Sequence, residues 1–291
     1  MPARRSDVVV VGDVMLDVAV ASPQLARGGD VHGTVRVRPG GSAANAAVWA
    51  AWAGASVRLY GRVGDDEPGA VLELALRKRG VEVSLARGPG ERTGTMLIVV
   101  EGGERSMVAD RGANAGLRAD DLPAEIDAGA VLVSGYALLH PPTTEAAAAA
   151  IRRARADHIA VDAASWPLLT SGGSERLLDA SRGATLLLAN EREADALAGL
   201  EGEDSIRRLA RRYACVVVKR GERGAVVARD GALEPVGSPS VDELDPTGAG
   251  DAFDGVLLSH LARGGDLLEA AAAACRAGAR VAASEDTWPE E

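Results

Sequence analysis

Short apolar runs rich in β-branched residues recur along this chain, and they constrain its fold more than any other feature. Val8-Val9-Val10-Val11 ends in Gly12-Asp13, and similar runs return at Val57–Tyr60, Val131–Val133, Ile159–Val161, Leu186–Leu188 and Val216–Val218. Such runs suit strands buried on both faces, because a half-buried strand would alternate apolar with polar residues. Between them lie helical patterns at roughly 43–53, 66–79, 143–156, 174–181, 191–198 and 203–212, and helices at about 249–262 and 267–283 close the chain. Strand-helix alternation predicts an α/β fold with a largely parallel central sheet flanked by helices. In such sheets ligands lie beyond the carboxyl ends of the strands, where this sequence repeatedly places Gly, Asp and Asn. A length of 291 residues accommodates one large α/β domain, so 1–291 is read as a single domain carrying a small appendage.

Some segments break the alternation. Val14–Val20, Gly33–Val37, Thr93–Val100 and Ser106–Ala109 read as half-buried antiparallel strands, the last two joined by the turn Glu101-Gly102-Gly103-Glu104. They come from separated stretches, about 14–20, 33–37 and 93–109, and are expected to form a small β-sheet lid; an ordinary edge hairpin is the alternative. A lid suits a reaction from which water must be excluded. Glu222-Arg223-Gly224 and Arg229-Asp230-Gly231 suggest another hairpin.

Charge and composition remove several classes of function. A net charge of −10 opposes general nucleic-acid binding, which needs a basic surface to displace counterions. No apolar run reaches the length of a membrane span. Met1–Asp7 leads straight into the first strand without the apolar segment of a signal peptide, so a cytoplasmic location is expected. Cys215 and Cys275 are too far apart for a metal motif and are read as free thiols. Lysine occurs only at 78 and 219, and aromatic residues make up 3% of the chain, which disfavours a site that stacks bases between several rings.

The chemistry concentrates in Asp245-Pro246-Thr247-Gly248-Ala249-Gly250-Asp251, which opens a helical run. A Gly-Ala-Gly turn at a helix start leaves N–H groups unpaired at the positive end of the helix dipole, a natural phosphate seat. An Asp inside that seat makes sense as a general base acting on a substrate hydroxyl; the alternative is a simple N-cap. Pro39-Gly40-Gly41-Ser42-Ala43-Ala44-Asn45 pairs glycines with an amide suited to a hydroxyl-rich ligand, or forms a tight turn before a helix. Gly12-Asp13-Val14-Met15-Leu16-Asp17 ends the first strand with two acids. Asn190-Glu191-Arg192-Glu193 starts a helix after a buried strand, and Asn190 can also cap it. The first strand lacks a GxGxxG turn and the chain has no GxxxxGK[ST] loop, against a dinucleotide oxidoreductase or a P-loop kinase.

Taken in this order over nearly the whole chain, these features resemble the ribokinase-like PfkB carbohydrate kinases, whose two signature segments look like 39–45 and 245–251. The resemblance implies a β-lid, ATP as donor, Mg²⁺ as counter-ion and a homodimer formed through the lid. It assigns Asp251 as catalytic base and the N–H groups of Gly248, Ala249 and Gly250 as an anion hole. Asp17, Gly41 and Asn45 would hold the acceptor, with Met107 on the lid and Tyr136 after the central strand also facing it. Asn190 and Glu193 match an Asn-x-x-Glu motif that organises Mg²⁺, in keeping with the oxygen donors that ion prefers. Lys219, Gly221 and Gly224 match the segment lining the nucleotide; Lys219 or Arg220 is the candidate phosphate contact. Asp245 and Thr247 occupy the place where relatives hold a monovalent cation such as K⁺. Ser134-Gly135-Tyr136 stands where ribose-specific relatives carry Glu, Asp254 stands where many carry Asn, and Arg105 or Arg111 could meet an acidic sugar. A small sugar or sugar acid is the expected acceptor, with a nucleoside or a catalytically silent binding role as alternatives. The tail after the last helix is shorter than in many relatives and leaves the adenine contacts unassigned.

Overall fold

The computed structural model describes residues 5–22, 26, 28–101 and 104–290, with the side chains of residues 104 and 105 outside that description. Gly102 and Gly103 of the expected turn, and the Arg105 side chain, therefore lie outside the described residues.

The main sheet takes β1 (Ser6–Val11), β4 (Val57–Gly64), β5 (Val81–Gly88), β8 (Ile126–Ser134), β10 (His158–Asp162), β11 (Leu186–Asn190), β12 (Cys215–Lys219), β13 (Ala225–Arg229) and β14 (Ala232–Val236). Its order is β14-β13-β12-β11-β10-β8-β1-β4-β5, with the short β9 (Ala154–Arg155) pairing on β8. All pairs from β5 to β12 are parallel, and β13 and β14 add antiparallel. The second expected hairpin is present, turning at Asp230 and Gly231, both at positive φ. β5 went unread in the sequence because Val81-Glu82-Val83-Ser84 alternates as an edge strand does, unlike the apolar runs of its neighbours.

Helices α1 (Ser42–Trp52), α2 (Glu67–Lys78), α9 (Ala249–Ala262) and α10 (Leu267–Ala282) pack on one face of the sheet. On the other lie α3 (Gly135–Leu139), α4 (Pro141–Arg153), α6 (Ser174–Ala180), α7 (Glu191–Ala198) and α8 (Glu203–Leu209), with the single turn α5 (Trp166–Leu168) between α4 and α6. The division follows the two-residue period of each strand. Val8, Val10, Leu186, Leu188 and Val217 point into the first core, and Val9, Val11, Leu187, Val216 and Val218 into the second.

Chain order reverses between β1 and β8, and a crevice at such a switch point is where these sheets bind ligands. Gly12 closes β1 here, and a Cβ on it would lie 2.6 Å from the Ser134 Cβ at the end of β8. Gly12-Asp13, Ser134, Asp162, Asn190 and Lys219 therefore emerge along one rim, each at or just beyond the carboxyl end of its strand.

The lid is a separate sheet of β2 (Met15–Ser22), β3 (Thr34–Gly40), β6 (Gly94–Glu101) and β7 (Glu104–Asp110), in the order β3-β2-β6-β7. One part of the expectation fails: β2 and β6 pair parallel, not antiparallel. Between them the chain makes excursions through the main sheet, α1–β4–α2–β5, and so returns to the lid running in the same direction.

Helix α9 lies against α1 at backbone distance. A Cβ on Gly255 would fall 2.2 Å from the Ala46 carbonyl oxygen and 2.9 Å from the Ala50 nitrogen, so only glycine permits this crossing. Gly255→Ala should lower stability by about 1–3 kcal/mol through overpacking, although helix propensity alone favours alanine by about 1 kcal/mol. Denaturant unfolding of the two proteins measures the difference, and an unchanged or raised stability would contradict the close crossing.

Candidate active site

The crossing of α1 and α9 brings the two glycine-rich segments together. Gly41, with φ 96°, links lid strand β3 to α1; a Cβ there would meet the Asp13 carbonyl oxygen at 2.5 Å. Gly248, with φ 82°, precedes α9, whose first turn has no side-chain cap. Asp251 in that turn accepts from the Ser42 hydroxyl at 2.9 Å and from the Asn45 side-chain amide at 2.8 Å. Burial raises the Asp251 carboxyl to about 6, Asp162 adds to the rise, and the Asn45 and Ser42 donors oppose it. A carboxylate with this pKa is deprotonated at neutral pH yet basic enough to take a proton. The Ala249 N–H donates to the Pro246 carbonyl within the turn at 3.1 Å.

A cleft of about 380 Å³ runs outward from Asp251 and Gly250. It takes in Asp162, Asn190, Glu193, Lys219, Gly221 and Gly224, uniting the residues assigned to the nucleotide and the divalent ion. Its far wall is built from Cys275, Gly278, Ala279 and Ala282 of α10 and from residues 238–241, a surface the sequence did not point to. Small residues at i, i+3 and i+4 of a helix are the pattern that could have shown it, but in an alanine-rich run they do not stand out.

Asn190 and Glu193 hold each other in a capping box. The Asn190 backbone N–H and side-chain amide donate to the two Glu193 oxygens at 2.8 and 2.7 Å, and Asn190 Oδ1 accepts from the Glu193 N–H at 3.0 Å. The capping alternative is thus real, and it is the same geometry that turns the Glu193 carboxyl into the cleft. Burial, with Asp162 nearby, pushes that carboxyl up to about 7.

Lys219 sits between two carboxylates, donating to Asp162 at 2.9 Å and to both oxygens of Asp254 at 3.0 and 3.1 Å. Burial alone would lower its pKa, but Asp162, Asp254 and Glu193 together raise it. Asp162, otherwise raised by burial, is held down by Lys219, whereas burial and Asp162 drive Asp254 up. Neither aspartate stood out in the sequence as a partner for Lys219. Asp254, lying one turn after Asp251, is the second hydrogen-bond partner of this lysine. A Cβ on Gly250 would lie 3.4 Å from the Lys219 ammonium, so that cation stands beside the first turn of α9.

Asp17 lies buried beneath β3, where a Cβ on Gly40 would strike its carboxylate, and burial raises it to about 6 against the pull of Arg38. Tyr136 opens α3 beside Asp251; burial, then the charges of Asp251 and Asp162, raise its phenol. Ser134 Oγ is buried with no hydrogen-bond partner among the described residues. Arg111 is paired with Asp13 at 2.7 Å. Met107 pairs opposite Ile98 on the lid and remains 49% exposed, outside the lining of the cleft. Asp245 Oδ1 accepts from both the N–H and the hydroxyl of Thr247, at 2.9 and 2.6 Å.

An uncapped helix start, a half-buried carboxylate in its first turn and a cleft of about 380 Å³ beyond it thus lie together. Residues 5–289 match the model of the pfkB family carbohydrate kinases, and the chain belongs to that family. The bifunctional protein HldE of Coxiella burnetii is 32% identical over 92% of the chain, which spans only 58% of that relative. An Escherichia coli fructokinase is 31% identical over 88% of the chain and 84% of its own length. The structure of adenosine kinase from Sinorhizobium meliloti superposes with a TM-score of 0.88 over 98% of this chain and 96% of that one, at 24% identity. A further solved relative from Escherichia coli, with a TM-score of 0.84 over 97% and 94% of the two chains and 24% identity, holds ATP and Mg²⁺.

Replacing Lys219 with Met should cost about 3–5 kcal/mol, because two buried carboxylates lose their counter-ion. Adding Asp254→Asn should restore part of that loss, as chemical unfolding of the single and double variants can show; equal stabilities would refute the buried pairing.

Proposed function

We propose that this chain transfers the γ-phosphoryl group of ATP to a hydroxyl of a small sugar or sugar acid. The observation that carries the reading is Asp251, a half-buried carboxylate held by Ser42 and Asn45 in an uncapped first helical turn. The acceptor hydroxyl lies between Asp251 and the γ-phosphorus. Its oxygen forms the new P–O bond, the bond to the ADP oxygen breaks, and the proton passes to Asp251 as charge develops. The N–H groups of Gly248 and Gly250, with the dipole of α9, would receive the transferring group, whereas the expected Ala249 donor is already taken by the Pro246 carbonyl; Lys219 adds a fixed positive charge beside them.

Asn190 and Glu193 offer oxygen donors suited to Mg²⁺, held largely through water. Among the described residues no three His, Cys, Asp or Glu side chains converge on a cation site; Asn190 and Glu193 would hold the ion together with oxygens of the nucleotide. When bound, Mg²⁺ supplies neutralisation of phosphate charge. A K⁺ ion at the 245–247 turn would share Asp245 with the two Thr247 donors. On the acceptor side stand Asp17, Gly41, Asn45 and Tyr136, with the unpartnered Ser134 hydroxyl at the crevice. A site with so few aromatic side chains favours a sugar over a base-bearing acceptor.

The outer lid face supports a homodimer. Val37, Val18, Leu97 and Val108 lie in register across the four strands, and Val37 and Val108 are each at least 60% exposed. Val37→Asp with Val108→Asp should convert the dimer to a monomer in sedimentation; a wild-type monomer would remove this part of the reading. Among the described residues no helix is long and apolar enough to cross a membrane.

The decisive test is ATP- and Mg²⁺-dependent ADP release across sugars, sugar acids and nucleosides. Asp251→Asn should lower kcat at least about 10²-fold while nucleotide affinity changes little. For the wild type, kcat/KM should fall as pH drops through about 6 and Asp251 takes up a proton. Near-normal turnover by a folded Asp251→Asn protein would remove the base assignment.

A further inference from the structure

The segment after α10 folds back over the start of α1 and places an indole against the catalytic pair. Trp288 donates its Nε1–H to Asn45 Oδ1 at 2.8 Å, on the opposite end of the amide from Asp251. The segment is well anchored. Trp49 donates to the Thr287 carbonyl at 2.8 Å, Arg79 donates to the Pro289 carbonyl, and the Arg79 guanidinium lies 5.8 Å from the Trp288 ring. Thr287 is buried, and its methyl would lie 3.1 Å from a Cβ on Gly248. Arg36 and Arg38 of β3 reach the same segment at Glu285.

An indole nitrogen can only donate, so the group it meets must be an acceptor. That fixes which end of the Asn45 amide faces which way. With Oδ1 held by Trp288, the NH₂ group must face Asp251, the one arrangement in which Asn45 donates to the carboxylate. We propose that Trp288 is a positioning residue for phosphoryl transfer, holding the Asn45 amide so that it orients and stabilises the ionised Asp251 carboxylate. Asn45 keeps a second N–H for the acceptor, so one amide serves both the base and the substrate. Kinetically the inference rests on the kinase reading above, but its effect on Asp251 does not depend on turnover.

The charged and titratable groups facing Asp251 are Asp162 from β10, Lys219 from β12 and Tyr136 from α3, and Asp254 of its own helix is bonded to that lysine. Substitution at 288 leaves all of them in place. Trp288→Phe keeps a ring in the pocket and over Arg79 but removes the donor. If that variant fails to fold, β-(3-benzothienyl)alanine at 288 removes the N–H while keeping the shape of tryptophan.

Two readouts test the proposal. In ligand-free protein with ¹³C-labelled aspartate carboxyls, loss of the indole donor should raise the Asp251 titration midpoint by about half a unit or more. In turnover it should lower kcat about 3–30-fold and move the acid limb of kcat/KM upward. The same change in an Asn45→Ala background should add nothing, because the relay is already gone. An unmoved Asp251 titration, or an equal loss in both backgrounds, would overturn the proposal. Absence of phosphotransfer by the wild type would refute the kinase reading and leave the carboxyl titration to decide this one.

Discussion

Gly255 allows two helix backbones to touch, and the site depends on that contact. Helix α1 begins at Ser42 and α9 carries Asp251 one turn before the glycine. Were the helices pushed apart by the width of a methyl group, Ser42 and Asn45 would no longer reach the carboxylate. The two glycine-rich segments, some two hundred residues apart in sequence, thus become one structure through a packing constraint rather than through their own chemistry. The switch of strand order between β1 and β8 then sets that structure over the sheet rim, where Asp162, Asn190 and Lys219 complete it.

Electrostatics explains why the rim can hold so many acids. Asp162, Glu193, Asp251 and Asp254 crowd around one buried ammonium, and a single positive charge cannot offset four negative ones. The remainder appears as raised pKa values on Asp254, Asp251 and Glu193. A site burdened in this way favours the binding of positive charge or the uptake of a proton, and the proposed phosphoryl transfer would draw on both. The molecule as a whole carries a net charge of −10, so the accumulation of negative charge is not confined to the site.

Much of this was legible in the sequence. The buried strands announced themselves because both faces of a central parallel strand must be apolar, and Val8–Val11 can be nothing else. The Gly-Ala-Gly-Asp turn was legible because helix starts and anion seats share one geometry. What escaped has equally physical reasons. β5 is an edge strand and alternates. The parallel pairing of β2 with β6 depends on how the intervening chain is routed, which no local pattern records. The counter-ions of Lys219 lie on two other elements, at 162 and 254, and only the fold joins them. Trp288 sits in a segment without periodicity, and its bond to Asn45 spans 243 residues.

The lid also bears on the order in which the chain can assemble. Its central pairing joins Met15 to Gly94 and Ser22 to Glu101, with α1, β4, α2 and β5 in the loop between. A parallel pairing across so many residues cannot nucleate as a local hairpin, and its entropic cost falls only after the main sheet has drawn β2 and β6 together. The outer hairpin of β6 and β7 can form early, but it has nothing to dock on until β2 arrives. The lid is therefore no detachable module: it could not be excised or transplanted as one continuous stretch, and its strands should be the last part of the molecule to gain protection from solvent exchange during folding.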